Sequence, residues 1–159
     1  MREILFRGKR IDGKYIDGSV WTEGYYVGEQ TFVEKTRHWL LDINATKPHS
    51  HYYYSVDPST VGQYTGKTDT NKAKIFEHDI IRANHDGAVG VIRFGEAVGV
   101  YPGNACHVGF YVDWQGEDKD YLRADLGYWA SRSDVEVIGN IHDNPELLAQ
   151  PADPDAQEL

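Results

Sequence analysis

Val61-Gly62-Gln63-Tyr64-Thr65-Gly66-Lys67-Thr68-Asp69-Thr70-Asn71-Lys72-Ala73-Lys74-Ile75-Phe76-Glu77-His78-Asp79-Ile80-Ile81 sets two apolar pairs, Ile75-Phe76 and Ile80-Ile81, behind a run of turn-forming polar residues. Gly62 and Gly66 bracket Gln63-Tyr64-Thr65, and glycine supplies the positive φ that other residues resist, so the segment reads as a turn-rich approach to a strand. Glu77-His78-Asp79 is too short and too polar to be core. It predicts a tight corner before a strand over Ile80–Ala83.

Downstream, Asp79–Ala83, the turn Asn84-His85-Asp86-Gly87 and Ala88–Phe94 predict a hairpin, with Gly-Val-Ile-Arg-Phe-Gly alternating as a half-buried strand. Phe110–Trp114 and Val135–Ile141 read as further strands. Asn144 is placed to cap a short helix with Pro145 at its first position, Glu146 near its positive end, and Leu147 and Leu148 as anchors. Short strands in this succession predict a small SH3-like barrel between about Glu77 and Ile141.

Upstream, Asp12-Gly13 predicts a hairpin pairing Ile4–Ile11 with Lys14–Trp21, and Asp17-Gly18 marks a second turn or a bulge. Tyr25-Tyr26-Val27 and Thr31-Phe32-Val33 flank Gly28-Glu29-Gln30 as a second hairpin. Trp39–Ile43 and Tyr52–Val56 are strand-like. Asn44–Ser50 reads as an exposed loop, and Asp57-Pro58-Ser59-Thr60 as a turn. The expected fold is mainly β, with a hairpin-rich N-terminal part (1–76), an SH3-like barrel region with one short C-terminal helix (77–149), and a disordered acidic tail (150–159).

The order Val-Gly-Gln-Tyr-Thr-Gly, then Asp69 and Asn71, then Ile75-Phe76-Glu77 and Asp79-Ile80-Ile81, resembles the signature of the YopX family of phage and prophage proteins. Arg2-Glu3-Ile4-Leu5-Phe6-Arg7-Gly8-Lys9 and Glu136–Leu148 agree with it, so the resemblance spans residues 1 to about 149. The chain departs from that pattern at Lys72 and His78, where the family usually has Gly. Lysine accepts positive φ poorly, so the turn at Asn71-Lys72 is expected to be longer or of another type. The family carries no assigned reaction. The resemblance therefore implies a fold and a phage setting, and it singles out Gly62, Tyr64, Thr65, Gly66, Asp69, Glu77 and Asp79 as motif residues, either structural or facing a ligand.

Composition narrows the remaining classes. The chain has 159 residues, 40% hydrophobic and 13% aromatic, with eleven Tyr and four Trp, a mix suited to strands and half-exposed platforms. Of the net charge of -9, Asp143, Glu146, Asp153, Asp155 and Glu158 supply five negatives, leaving -4 on the rest. That balance argues against an extended phosphate-binding face. Cys106 is the single cysteine, which excludes an intramolecular disulfide and a multi-cysteine zinc site and suits a reducing compartment. No apolar run has the length of a signal peptide or a membrane span, and the expected location is the cytoplasm of the host cell.

Candidate chemistry is sparse. Arg2, Arg7, Lys9, Arg10 and Lys14 make the N-terminal strands basic, read as charged strand edges in preference to a nucleic-acid contact. His49, His51 and Asp57 are the candidate metal ligands, but their spacing matches no helical ligand motif, and polar loop or strand residues are the simpler reading. The Tyr52-Tyr53-Tyr54 row has no interleaved basic residues and suits core packing or a subunit interface better than base stacking. Cys106 and His107 are neighbours whose side chains leave a strand on opposite faces, so they form no catalytic couple. Gly116–Asp120 reads as a solvated tip. No cofactor is implied, and no catalytic set converges. The reading is an accessory protein that binds protein or itself, with nucleic-acid binding as the alternative and a metal-dependent enzyme around His49, His51, Asp57 or Glu77-His78-Asp79 as the third.

Overall fold

The structure, a computed structural model, describes residues 3–11, 19–30, 36–42, 53–98, 106–116 and 124–149. The chain divides into two compact units, Met1–Tyr64 and Thr65–Leu159, so the boundary falls inside the motif stretch.

In the first unit β1 (Phe6–Lys9) pairs antiparallel with β2 (Trp21–Gln30), which pairs with β3 (Thr36–Asp42), which pairs with β4 (Tyr53–Ser55). β1 also pairs on its other side with the start of β5 (Gly62–Thr68), the strand on which the chain leaves this unit. The partner of β1 thus begins at Trp21, where Lys14–Trp21 was expected, because the aromatic and β-branched residues that favour a strand follow Trp21. Gly28-Glu29-Gln30 is not a turn either: those residues continue β2 and pair with His38, Arg37 and Thr36. Asp12-Gly13, Asp17-Gly18, Thr31–Val33 and the loop Asn44–Ser50 lie outside the described residues.

A second correction concerns charge. β1 is not an exposed edge, being paired on both sides. Its register sets Lys9 opposite Trp21, and the guanidinium of Arg7 and the ammonium of Lys9 lie 4.9 and 5.5 Å from the centroid of that indole. Arg10, buried, stacks at 3.8 Å over Tyr54. These cations are held by aromatic faces. Among the described residues of this unit, Leu5, Leu40 and Val56 are the fully buried aliphatic ones. Asp57 accepts from Ser59 N (2.9 Å) and caps the 3-10 turn Pro58–Thr60.

In the second unit β6 (Lys74–Phe76) follows β5, and a four-stranded antiparallel sheet has the order β10-β7-β8-β9, with β7 at Asp79–Ala83, β8 at Val89–Val98, β9 at Cys106–Trp114 and β10 at Val135–Asn140. The β7–β8 hairpin forms where it was read, closed by Gly87 N donating to Ala83 O at 3.0 Å. Ile75, Ile81, Ala83, Ile92, Val112 and Val135 pack with Trp114, Leu126 and Trp129 into one core, and the two indoles meet edge to face at 5.1 Å. β10 shifts register between Val137 and Gly139, leaving Ile138 as an extra residue against β7.

The all-antiparallel β class is as expected, but the barrel is not: the sheet has β10 and β9 as its two ends and is not closed. Closure would need those end strands to pair, and β10, paired with β7 on one edge, gives Val135 O to Thr70 N (2.9 Å) and Val137 N to Asp69 Oδ2 (3.0 Å) on the other. The α-helix is also elsewhere. α1 (Leu126–Ser131) is capped by Asp125, whose side chain accepts Tyr128 N, and it buries Leu126 and Trp129. Pro145–Leu148 makes only a 3-10 turn, and Asn144 gives it no side-chain cap because its Oδ1 accepts Asn140 N at 3.4 Å. No helix among the described residues is long and apolar enough to cross a membrane. The acidic tail lies outside the described residues.

Candidate functional site

The motif residues divide between the units. Gly62 lies opposite Arg7 in the β1–β5 ladder, and half-buried Tyr64 donates its N–H to Leu5 O at 2.7 Å. Both belong to the first unit.

Thr65, Gly66, Asp69, Glu77 and Asp79 belong to the second. Buried Thr65 donates its hydroxyl to Ile75 O at 2.8 Å, while Gly66 takes φ 78°, the left-handed region. Asp69 is 3% exposed and organises the next turn through both carboxylate oxygens. Oδ1 accepts Asn71 N (2.8 Å) and Ala73 N (2.9 Å), and Oδ2 accepts Val137 N (3.0 Å) on β10. Beside it Thr70 Oγ1 lies 2.7 Å from Ser133 O and 2.9 Å from Val135 O, and accepts Asn84 Nδ2 at 2.9 Å. A side chain filled with backbone N–H groups is suited to hold a turn.

Within that turn Lys72 N donates to Asp69 O at 3.1 Å, and Lys72 adopts φ 67°. Asn71 has no positive φ, so the turn is not the Asn-Gly type, in which both central residues are left-handed. It corresponds to a tight turn followed by one left-handed residue. Lysine occupies the glycine conformation in place of changing it.

The same holds one turn later. His78, second of the two residues between β6 and β7, has φ 72°, a demand that glycine meets in a type II turn. Buried Asp79 accepts Phe76 N at 2.7 Å and closes the corner. His78 N donates to Ile92 O (2.9 Å), and its carbonyl accepts Ile141 N (3.0 Å).

That last bond brings in a residue to which sequence reading gave no role. His142 Nε2 lies 3.2 Å from His78 Nδ1, and the rings meet edge to face at 5.1 Å. On the other side of the His78 ring, Nε2 is 4.0 Å from Glu77 Oε1. Asn140 holds His142 from behind: its Oδ1 accepts His142 N and Asp143 N, both at 3.0 Å, and its Nδ2 donates to Asp143 Oδ2 at 2.9 Å. Pairing the expected strands would have found the cluster. Once Asp79 faces Asn140 in an antiparallel ladder, the residue before one strand must meet the residues after the other.

Among the described residues no group of three or more His, Cys, Asp and Glu is arranged to hold a metal. His49 and His51 lie outside the described residues, and Asp57 serves its own turn. Cys106 and His107 open β9, and their side chains lie outside the description. Arg132, an exposed residue, has its pKa raised by the side-chain hydrogen bond to Asp134. It is charged at any pH at which the chain folds and adds no switch.

A second feature is a sheet face. Tyr25, Leu41 and Tyr53 are directly opposite one another across β2, β3 and β4, and Val27 and Trp39 form the next row on the same face. Tyr25 is 49%, Val27 41% and Tyr53 52% exposed. Five apolar or aromatic side chains thus share one face on which three are largely open to solvent.

Comparison with known proteins gives a family and likenesses to solved structures. No curated protein matches the chain. The crystal structure of protein EF1440 from Enterococcus faecalis is similar, at 20% sequence identity, covering 93% of this chain and 99% of that one, with a TM-score of 0.43. The YopX protein family matches residues 20–149, which contain the motif, the left-handed residues Lys72 and His78, and the His78–His142 pair. The chain belongs to the YopX family.

Proposed function

We propose that this chain is a phage- or prophage-encoded accessory protein that acts in the host cytoplasm by binding protein, a second copy of itself included. The observation that carries the reading is the face of Tyr25, Val27, Trp39, Leu41 and Tyr53. Contiguous exposed apolar surface costs solvation, and tyrosine and tryptophan are the side chains that protein interfaces favour. The motif residues support the same reading from the other side, since Thr65, Asp69 and Asp79 spend polar atoms on turn backbone.

The test is affinity purification of the tagged chain from phage-infected cells, with and without nuclease, beside native mass spectrometry of the pure protein. A stoichiometric protein partner that survives nuclease, or a discrete oligomer, supports the proposal. Partners lost on nuclease treatment would replace it with nucleic-acid binding. A monomer that recovers nothing in either arm would remove it.

A further inference from the structure

We propose that His78 and His142 together bind one divalent transition-metal ion, of the zinc, nickel or cobalt class. Two facing imidazole nitrogens 3.2 Å apart have two chemical explanations, a shared proton or a shared metal. A metal bonded to each nitrogen at about 2.0–2.1 Å holds the two about 3.3 Å apart at the tetrahedral angle and about 2.9 Å apart at a right angle. The observed separation lies between these values. The torsion joining each ring to its Cβ is broad, which lets the rings adjust toward one ion.

Two further observations point the same way. Glu77 flanks His78, its carboxylate 4.0 Å from the ring nitrogen remote from His142, which is the side from which a carboxylate orients a metal-bound histidine once it closes to hydrogen-bond distance. His78 also occupies a left-handed backbone position that glycine would take without strain. An imidazole carried on a left-handed backbone, flanked by a carboxylate and facing a second imidazole whose backbone N–H is held by Asn140 Oδ1, is a prepared ligand pair. Two protein ligands leave positions open to water.

The experiment is calorimetric titration of the full-length chain with zinc chloride, repeated on four variants. His78→Gly is the informative one, because it removes a ligand while relieving the turn, so the fold survives; circular dichroism checks this. The expected result is one zinc per chain, lost at least tenfold in both His78→Gly and His142→Ala. Glu77→Gln is expected to weaken it by about tenfold. His85→Ala, whose ring stacks on Trp129 away from the pair, leaves it unchanged. No zinc uptake by the unsubstituted chain, or undiminished affinity in either His78→Gly or His142→Ala, overturns the proposal.

Discussion

Asp69 Oδ2 accepts the backbone N–H of Val137, 68 residues away in sequence, at 3.0 Å. One carboxylate therefore serves both its own turn and β10. Replacing it by alanine strands three N–H groups, those of Asn71, Ala73 and Val137. Asp69→Ala is expected to cost about 3 kcal/mol, since each buried donor left unmade costs about 1–3 kcal/mol and water can reach part of the turn. Urea unfolding measures it. A loss under about 1 kcal/mol would mean that water replaces the carboxylate.

Lys72 is exposed and sits at φ 67°. A left-handed backbone costs an L-residue about 1–2 kcal/mol, and glycine returns part of that through its freer unfolded chain. Lys72→Gly is thus expected to stabilise the protein by about 0.5–1 kcal/mol. The check is the midpoint of thermal unfolding, which should rise. A fall would show that the lysine side chain contributes more than its backbone costs.

Gly24 lies on β2 between Phe6 and Asp42. A Cβ there would stand 2.0 Å from Leu41 O, a backbone atom that no side-chain rotation can move away. Gly24→Ala is expected to destabilise by about 3 kcal/mol, the upper part of the overpacking range. Urea unfolding followed by far-ultraviolet circular dichroism reports it. An unchanged transition would show that β2 and β3 separate readily at this point.

Tyr25→Ser combined with Tyr53→Ser is expected to abolish partner capture or oligomerisation while moving stability by less than about 1 kcal/mol, as exposed substitutions do. Native mass and unfolding on the same sample separate the two effects. Loss of folding in that double variant would identify the face as structural.

The hairpin from Asp79 to Phe94 was legible because its signals were local: alternation on each side of Asn84-His85-Asp86-Gly87. What could not be read was decided by partners distant in sequence. Gly28 looks like a turn until β3 is set against it, and Asn144 looks like a cap until Asn140 N competes for its side chain. Lys72 and His78 were marked as places where glycine belongs. The turn at Asn71-Lys72 is of another type than Asn-Gly, as expected, and the left-handed φ at Lys72 and His78 follows from the surrounding bonds, Asp69 to Ala73 and His78 to Ile92 and Ile141, which impose that backbone on any residue placed there. The His78–His142 contact was invisible for the same reason, since it exists only through the β7–β10 register.

Ile138 stands outside the ladder between the pairs Val137↔Ile81 and Gly139↔Ile80. A gene that lost its codon would keep every partner from Val135 to Asn140. Losing the adjacent codon for Gly139 shortens the chain equally but slides isoleucine into the slot where a Cβ lies 2.6 Å from Asn144 Oδ1. Two neighbouring deletions of the same length thus have opposite fates: one is silent for pairing, and the other pushes Asn144 off Asn140 and loosens the turn that carries His142.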